Sequence, residues 1–450
     1  MTHALLIATY EMGRQPFGLA SPAAWLRDAG IEVACVDLAR ERLPDDAVMR
    51  AQLVAWYLPM HTATRLALPE IRAVRRLNPA AHLCGYGLYA PLNGALLRGL
   101  GVQSVLGGEF EADLTALAVA LRDGPPPLQP AGDLPLPHLA FKVPDRQGLP
   151  PPARYAALYE SGRSKRQVGY TEASRGCKHT CRHCPVVPVY QGRFRVVPPD
   201  VVLADIRTQV EAGVRHITFG DPDFFNGPTH AVEVVQRLAA AFPDLTYDVT
   251  IKVEHLLVHA DLLATLRQTG CAFVTSAVES FDDRVLQILD KGHTRDDVEQ
   301  AVAECRTAGL VLAPTFVAFT PWTTLESYCG LLEAIASLDL VPAVAPIQLA
   351  IRLLLPEGSG LLVHEDVARI IGRFQADALV YPWRHPDPRV DALHGEVMAL
   401  VAQQVTASRR TVFEAIWALA HERTGSRCPL TKPERPTRAA IPYLNEPWYC

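Results

Sequence analysis

Two series of alternating β-type and helical runs, separated by a single proline-rich break, constrain what this chain can fold into. The first series opens with "ALLIATY" (4–10), an amphipathic stretch near 18–29, "IEVACVDL" (31–38) and "LVAWYLPM" (53–60). A helical pattern over 64–77, the runs "AHLCGYGLYA" (81–90) and "VQSVLGG" (102–108), and a closing helix over 111–121 complete it. Apolar strands joined by helix-length segments pair in parallel, with helices covering both faces of the sheet. Residues 123–153 then hold ten prolines, which can sustain neither a helix nor a central strand, and read as an extended connector. After it the spacing predicts strands over 168–173, 215–220, 246–253, 271–278, 310–318 and 343–351. Helices are expected between them near 199–212, 229–241, 259–268, 282–289, 295–308 and 325–337. Six such units predict a partial (β/α) barrel whose functional groups sit at the C-terminal ends of its strands.

Residues 362–424 read as helical, and 425–450 as an irregular proline-rich tail carrying Cys428 and Cys450. The expected class is therefore α/β. A parallel α/β domain (1–122) is followed by the connector (123–153), a partial (β/α)6 barrel (154–355) and a helical C-terminal region (356–450). A length of 450 residues agrees with more than one hydrophobic core.

The formal charge of −5 gives no broad basic field, so nucleic acid is not an expected partner. No apolar stretch reaches membrane-spanning length, and the N-terminus reads as a buried strand instead of a secretory signal. A cytoplasmic protein without a membrane partner is expected. In a reducing compartment, clustered thiols are metal ligands or catalytic groups more often than disulfides.

Three of the ten cysteines cluster in "SRGCKHTCRHCP" (174–185), as C-x3-C-x2-C. A structural zinc site wants four protein ligands, and an ordinary iron–sulfur cluster takes four thiolates. Cys177, Cys181 and Cys184 can hold three irons of a 4Fe–4S cluster and leave the fourth open to a small molecule. The residue types also allow a zinc knuckle completed by His179 or His183, or a chance grouping.

This stretch resembles the cysteine motif of the radical SAM superfamily. The resemblance implies a 4Fe–4S cluster whose open iron binds S-adenosylmethionine, and reductive cleavage of that molecule to a radical. "ITFGDPDFF" (217–225) resembles the superfamily's glycine- and acid-containing motif after the second strand, which implies Gly220 and Asp221 as contacts to the methionine amino group. "DVTIKVEH" (248–255) ends the third strand with Lys252 and Glu254 on one face, and two charges inside a barrel need each other or a ligand. "TSAVESFDDRVLQILDKGHT" (275–294) resembles the stretch that approaches the ribose, which implies Ser276 and Glu279. The superfamily often has a ring beside the third cysteine, here His183, near adenine. "VAFTPWTTLES" (317–327) departs from the usual Gly-x-Pro-Gly-Glu-Thr turn. Pro321 and Thr324 stand in place, while Phe319 and Trp322 replace glycines. His255 and His259 lack the glutamate of H-E-x-x-H and read as structural.

The front domain is similar to cobalamin-binding domains of radical SAM proteins, with "LGGEFEADL" (106–114) resembling the end of that module. Cobalamin is an allowed further cofactor. The cobalt-ligand signature D-x-H-x-x-G is absent, so an axial histidine is not expected, and a substrate-covering domain is the other reading. "IPYLNEPWYC" resembles the end of the radical SAM group named for its CUAEP/CCAEP tail, which implies continuation beyond Cys450 through cysteine or selenocysteine. Cys428 and Cys450 are then tail thiols with a catalytic, redox or metal-binding role. The resemblance implies a small-molecule substrate and an electron donor such as flavodoxin or ferredoxin. A zinc-stabilised binding protein and a non-catalytic cobalamin or redox sensor are the competing classes.

Overall fold

The structure, a computed structural model, describes residues 3–124, 136, 138–159, 165–425, 430 and 443–444. Cys428 and Cys450 lie outside the described residues.

The first alternating series forms a five-stranded sheet from β1 (His3–Ala8), β2 (Glu32–Asp37), β3 (Leu53–Tyr57), β4 (His82–Tyr86) and β5 (Ser104–Leu106). The order is β2-β1-β3-β4-β5 and every pairing is parallel. Both faces are covered. Helix His61–Leu77 packs Ala67, Leu68, Ile71 and Val74 on one side, and helices Phe17–Asp28 and Glu111–Asp123 pack Leu19, Ala23, Leu114 and Ala118 on the other. Burial on two faces explains the nearly unbroken apolar runs of these strands.

The second series forms a seven-stranded curled sheet. It contains β6 (Ala157–Tyr159), β7 (Arg166–Thr171), β10 (His216–Phe219), β11 (Thr246–Thr250), β12 (Cys271–Glu279), β13 (Leu312–Phe316) and β14 (Tyr443–Leu444). A separate short ribbon pairs β8 (Ser174–Gly176) with β9 (Phe194–Val196). The order is β13-β12-β11-β10-β7-β6-β14, parallel from β7 to β13 and antiparallel at β6 and β14.

The sixth parallel strand expected over 343–351 does not form. Pro346–Leu349 is a 3-10 turn, and the place beside β13 is taken by a single parallel bridge between Phe319 and Arg352. Pro342 and Pro346 break the run that an apolar count favours. The helical reading of 362–424 also needs correction. Helices cover Glu365–Ala368, Pro388–Gln403 and Arg409–Thr424, while 371–383 folds back through the bridge Ile371–Trp383. Lys252 is likewise not in a strand, since β11 ends at Thr250 and Lys252 caps helix Val253–Val258.

The described part of the proline-rich stretch is extended and is strapped to both units. The Asp145 amide donates to the Ala20 carbonyl, and Arg27 pairs with Asp145 at 2.7 Å. Arg146 is the cross-piece. It donates to both carboxylate oxygens of Asp205 at 2.9 Å, to the Tyr170 carbonyl at 2.7 Å, and to Gln15 Oε1 at 2.8 Å. The Arg146 side chain is 7% exposed and that of Asp205 1%. Removing one partner of such a pair leaves an uncompensated buried charge. We therefore expect Asp205→Ala to lose about 3–5 kcal/mol in a urea titration, whereas Asp200→Ala, at an exposed pair on the same helix, should change little.

Candidate functional site

The three clustered cysteines lie in the loop between β8 and β9, at the end of the curled sheet where β7 delivers the chain. Gly176 makes the turn into it with φ +77°, and a Cβ there would stand 2.4 Å from the Tyr190 ring and 2.5 Å from the Arg193 carbonyl. Only glycine fits that position. Asn226, fully buried, donates to the Gly176 carbonyl at 3.3 Å and accepts from the Lys178 amide at 3.1 Å, which pins the backbone on both sides of Cys177. The Arg182 amide donates to the Leu289 carbonyl at 3.0 Å.

Burial raises the Cys177 thiol above its ordinary value and, with the charge of the other two sulfurs, pushes Cys184 up to about 12. Three sulfurs that ionise close to one another need cations nearby. One is Lys291, 4% exposed, which is near enough to Cys181 and Cys184 for their charges to raise its own basicity. The remaining described cysteines, 35, 84, 271, 305 and 329, are buried in the two cores. The loop thus offers three thiols among the described residues, without a fourth beside them.

Glu279 ends β12 at a register irregularity, with φ +68°. A left-handed glutamate costs on the order of 1–3 kcal/mol, and such strain gathers at functional positions. Its carboxylate meets His183 Nε2 at 3.2 Å and Lys291 Nζ at 3.3 Å. Although burial opposes ionisation, Lys291 and then His183 hold Glu279 down to about 2. Ser276 is fully buried and its hydroxyl has no hydrogen-bond partner, as has His183 Nδ1. The structure therefore joins His183 to Glu279 on the side of the loop that also receives Lys291. Lys291 went unnoticed in the sequence because a lysine inside "DKGHT" looks like an ordinary turn residue.

Gly220 and Asp221 have structural duties. A Cβ on Gly220 would lie 1.8 Å from Tyr170 Oη, so glycine lets that ring pass. Asp221 accepts from Ser174 Oγ at 2.6 Å and the Ala173 amide at 3.0 Å, and burial lifts it to about 7. Its carboxylate ties β8 to β10. Thr324 is similarly occupied as the cap of helix Leu325–Ser337, and Trp322 Nε1 donates to Asp366 at 2.9 Å.

Lys252 and Glu254 pair at 3.2 Å as expected, though across a helix start instead of along a strand. Lys252 Nζ also reaches His179 Nδ1 at 2.9 Å. Gly292 packs against both partners, which links them to the Lys291 turn. Asp223, 1% exposed, was not anticipated, and it meets two histidines. His255 Nδ1 lies 2.7 Å and His179 Nε2 3.3 Å from Asp223 Oδ2, beside Cys177. Neither histidine carried a motif, because the contacts join three separate elements.

Between the two sheets a cavity of about 180 Å³ opens to solvent. Its walls come from beyond the C-terminal ends of β1, β3, β4 and β5 (Glu11, Tyr57, Gly87, Gly108) and from Tyr170, Arg175 and Gly176 of the second unit. Ligands of open parallel sheets bind at such ends. No histidine lines it.

The Radical SAM superfamily model matches residues 171–321. The chain is 28% identical over 182 residues to a tRNA-2-methylthio-N(6)-dimethylallyladenosine synthase from Chlorobium chlorochromatii, covering 39% of each protein. It is 24% identical over 148 residues to the ribosomal protein uS12 methylthiotransferase RimO from Desulfosudis oleivorans, covering 31% of this chain and 33% of that protein. The chain thus matches well under half the length of these curated relatives. Among solved structures, the fold is similar to the cobalamin-dependent S-adenosylmethionine radical enzyme OxsB, with TM-score 0.72, 12% identity and 94% and 71% coverage. It is also similar to the radical S-adenosylmethionine methyltransferase TsrM from Kitasatospora setae, with TM-score 0.57, 21% identity and 75% and 71% coverage. Residues 171–321 match the Radical SAM superfamily model, and a 4Fe–4S cluster and S-adenosylmethionine are the cofactors that this match implies. The three-thiol loop fits the cluster by donor chemistry, and the orphaned Ser276 hydroxyl leaves a buried polar group for a ligand.

A depressed glutamate stabilises the fold above its ordinary value of 4.5, and that contribution is lost as pH falls through about 2. Glu279→Gln should therefore melt below the parent chain at pH 7. The gap should close between about pH 4.5 and 2 in a calorimetric pH series.

Proposed function

We propose that this chain is a radical SAM enzyme of group-transfer type, which holds a 4Fe–4S cluster through Cys177, Cys181 and Cys184 and cleaves S-adenosylmethionine reductively. The observation that carries this reading is the three-thiol loop, flanked by Lys291, Glu279 and His183, inside the segment that matches the Radical SAM model. One curated relative is named a methylthiotransferase and the other a 2-methylthio-adenosine synthase, which supports transfer of a carbon- or sulfur-bearing group.

When bound, the cluster supplies an electron and an open coordination position for the sulfonium nucleotide. The chain's own residues do the placing. Glu279, kept ionised by Lys291, accepts hydrogen bonds from ribose hydroxyls, and the buried Ser276 hydroxyl offers a second partner. His183 presents its ring beside them. Lys252, tied to Glu254, faces the other flank of the loop and suits a carboxylate. With Asp221 committed to Ser174, the amino group is left to backbone carbonyls near Gly220.

A small-molecule substrate is assigned to the cleft between the two sheets, where the cavity opens beside Gly176. Cobalamin, named for both solved neighbours, has its place at the same strand ends, held without an axial histidine. The enclosed 180 Å³ is smaller than the roughly 300–1,000 Å³ usual for small-molecule sites. A corrin would therefore occupy the open mouth as well. The reductant is an external electron donor of the flavodoxin or ferredoxin class. No described helix is long and apolar enough to cross a membrane.

The test is an anaerobic absorption spectrum with iron and sulfide counts, followed by product analysis after reduction with S-adenosylmethionine. About four irons and four sulfides per chain are expected, with 5′-deoxyadenosine or 5′-methylthioadenosine as product. Cys184→Ala should abolish both cluster and product. A colourless protein carrying stoichiometric zinc at these cysteines would overturn the proposal.

A further inference from the structure

Three metal-ligand atoms converge beside the cysteine loop without forming hydrogen bonds. His179 Nε2, Asp223 Oδ2 and His255 Nδ1 are each shielded from solvent and each lacks a hydrogen-bond partner. Yet Asp223 Oδ2 is 3.3 Å from the first imidazole nitrogen and 2.7 Å from the second. Both imidazoles meet the Asp223 carboxylate in polar contact, yet neither contact is a hydrogen bond of good geometry, so all three atoms remain available to a shared ligand.

We propose that His179, Asp223 and His255 form a second metal site, for one divalent transition-metal ion. Two imidazoles and a carboxylate with open positions form the donor set that holds iron(II) in one large group of oxygenases, and imidazoles suit zinc and cobalt equally. The three ligands come from the cysteine loop, the loop after β10, and helix Val253–Val258, so only the folded chain assembles them. Asp223 Oδ1 is already anchored by the Phe225 amide at 3.2 Å and the Lys252 amide at 3.4 Å, which leaves Oδ2 as a single-oxygen ligand. Cys177 Sγ lies within 4.8 Å of the His179 and Asp223 donors. It is reserved for the cluster in the reading above, and the second site does not require it.

The surrounding charges fit as well. Lys252 donates to His179 Nδ1 here, which keeps the ring proton on Nε2. Metal binding shifts that proton from Nε2 to Nδ1, which then donates to Glu254 Oε2, 3.7 Å away in this structure, as the Lys252 ammonium turns from Nδ1 to Glu254. Glu254 also neutralises Lys252, so the ammonium does not oppose the ion. A carboxylate behind a ligating histidine is the usual outer partner of such sites.

The test uses the full chain, reconstituted anaerobically with iron and sulfide and then equilibrated with Co²⁺. One cobalt per chain is expected beyond the cluster, with visible d–d bands of nitrogen and oxygen ligation. Asp223→Asn and His255→Gln should each weaken cobalt binding at least about tenfold while iron and sulfide counts stay unchanged, and Glu254→Gln should weaken it less. The triple variant Cys177→Ser, Cys181→Ser, Cys184→Ser should lose the cluster and keep the cobalt. Unaltered cobalt binding in both ligand variants, absence of cobalt beyond the cluster in the parent chain, or loss of cobalt in the triple variant would each overturn the second site. A parent chain that takes cobalt but no cluster would instead refute the radical SAM reading and leave this one standing.

Discussion

The arrangement turns on one guanidinium. Arg175, 8% exposed, pairs with Glu111 at 2.7 Å and Glu109 at 3.4 Å from the front unit, and with Glu172 at 2.7 Å from its own. Phe17, Phe110 and Phe141 stand within 6 Å of its charge. Three carboxylates around one cation are tolerable in a dry seam only if other donors share the load. Tyr190 Oη, which donates to Glu109 at 2.9 Å, and Ser21 Oγ, which donates to Glu111 at 2.6 Å, do so. Burial nevertheless raises Glu109 and Glu172 above the usual carboxylate range. Because breaking a buried pair strands a charge, this contact holds the two sheets in one relation. Arg175 is two residues before Cys177, so the same contact fixes where the thiol loop begins.

Around the thiols, positive charge is placed on both flanks. Lys291 and Lys252 each have a carboxylate partner, Glu279 and Glu254, and Gly292 packs between the two pairs. Partnering a lysine with a carboxylate keeps it protonated despite burial, so it remains a cation toward sulfur ligands and toward an anionic ligand group. The left-handed Glu279 and the left-handed Gly176 show the backbone cost of aiming those groups. The Arg175 seam and the Arg146–Asp205 pair supply the rigid frame that sustains it.

Much of this was readable from the chain. Five front strands and five parallel strands of the curled sheet lie where apolar periodicity puts them, because each buries a continuous hydrophobic surface. The cysteine loop was readable because its three ligands are neighbours in sequence. The failures are equally physical. At 343–351 an apolar run suggests a strand although Pro342 precedes it and Pro346 interrupts it, and over 362–424 helical periodicity concealed an irregular turnback at 371–383. The tie from Ser174 to Asp221 was also invisible, because an acid after glycine is ambiguous until its hydrogen bonds are known.

By itself the sequence determined the alternating α/β architecture and the three-thiol loop, since both depend on local spacing. Only the tertiary structure decided that Lys291 serves Glu279, that Asp223 gathers His179 and His255, and that Glu109 and Glu111 grip Arg175. Those partners are between 12 and 66 positions apart in the chain. Long-range electrostatic pairing leaves no periodic trace, because what selects it is the cost of an uncompensated charge in a buried place, and burial exists only once the chain has folded.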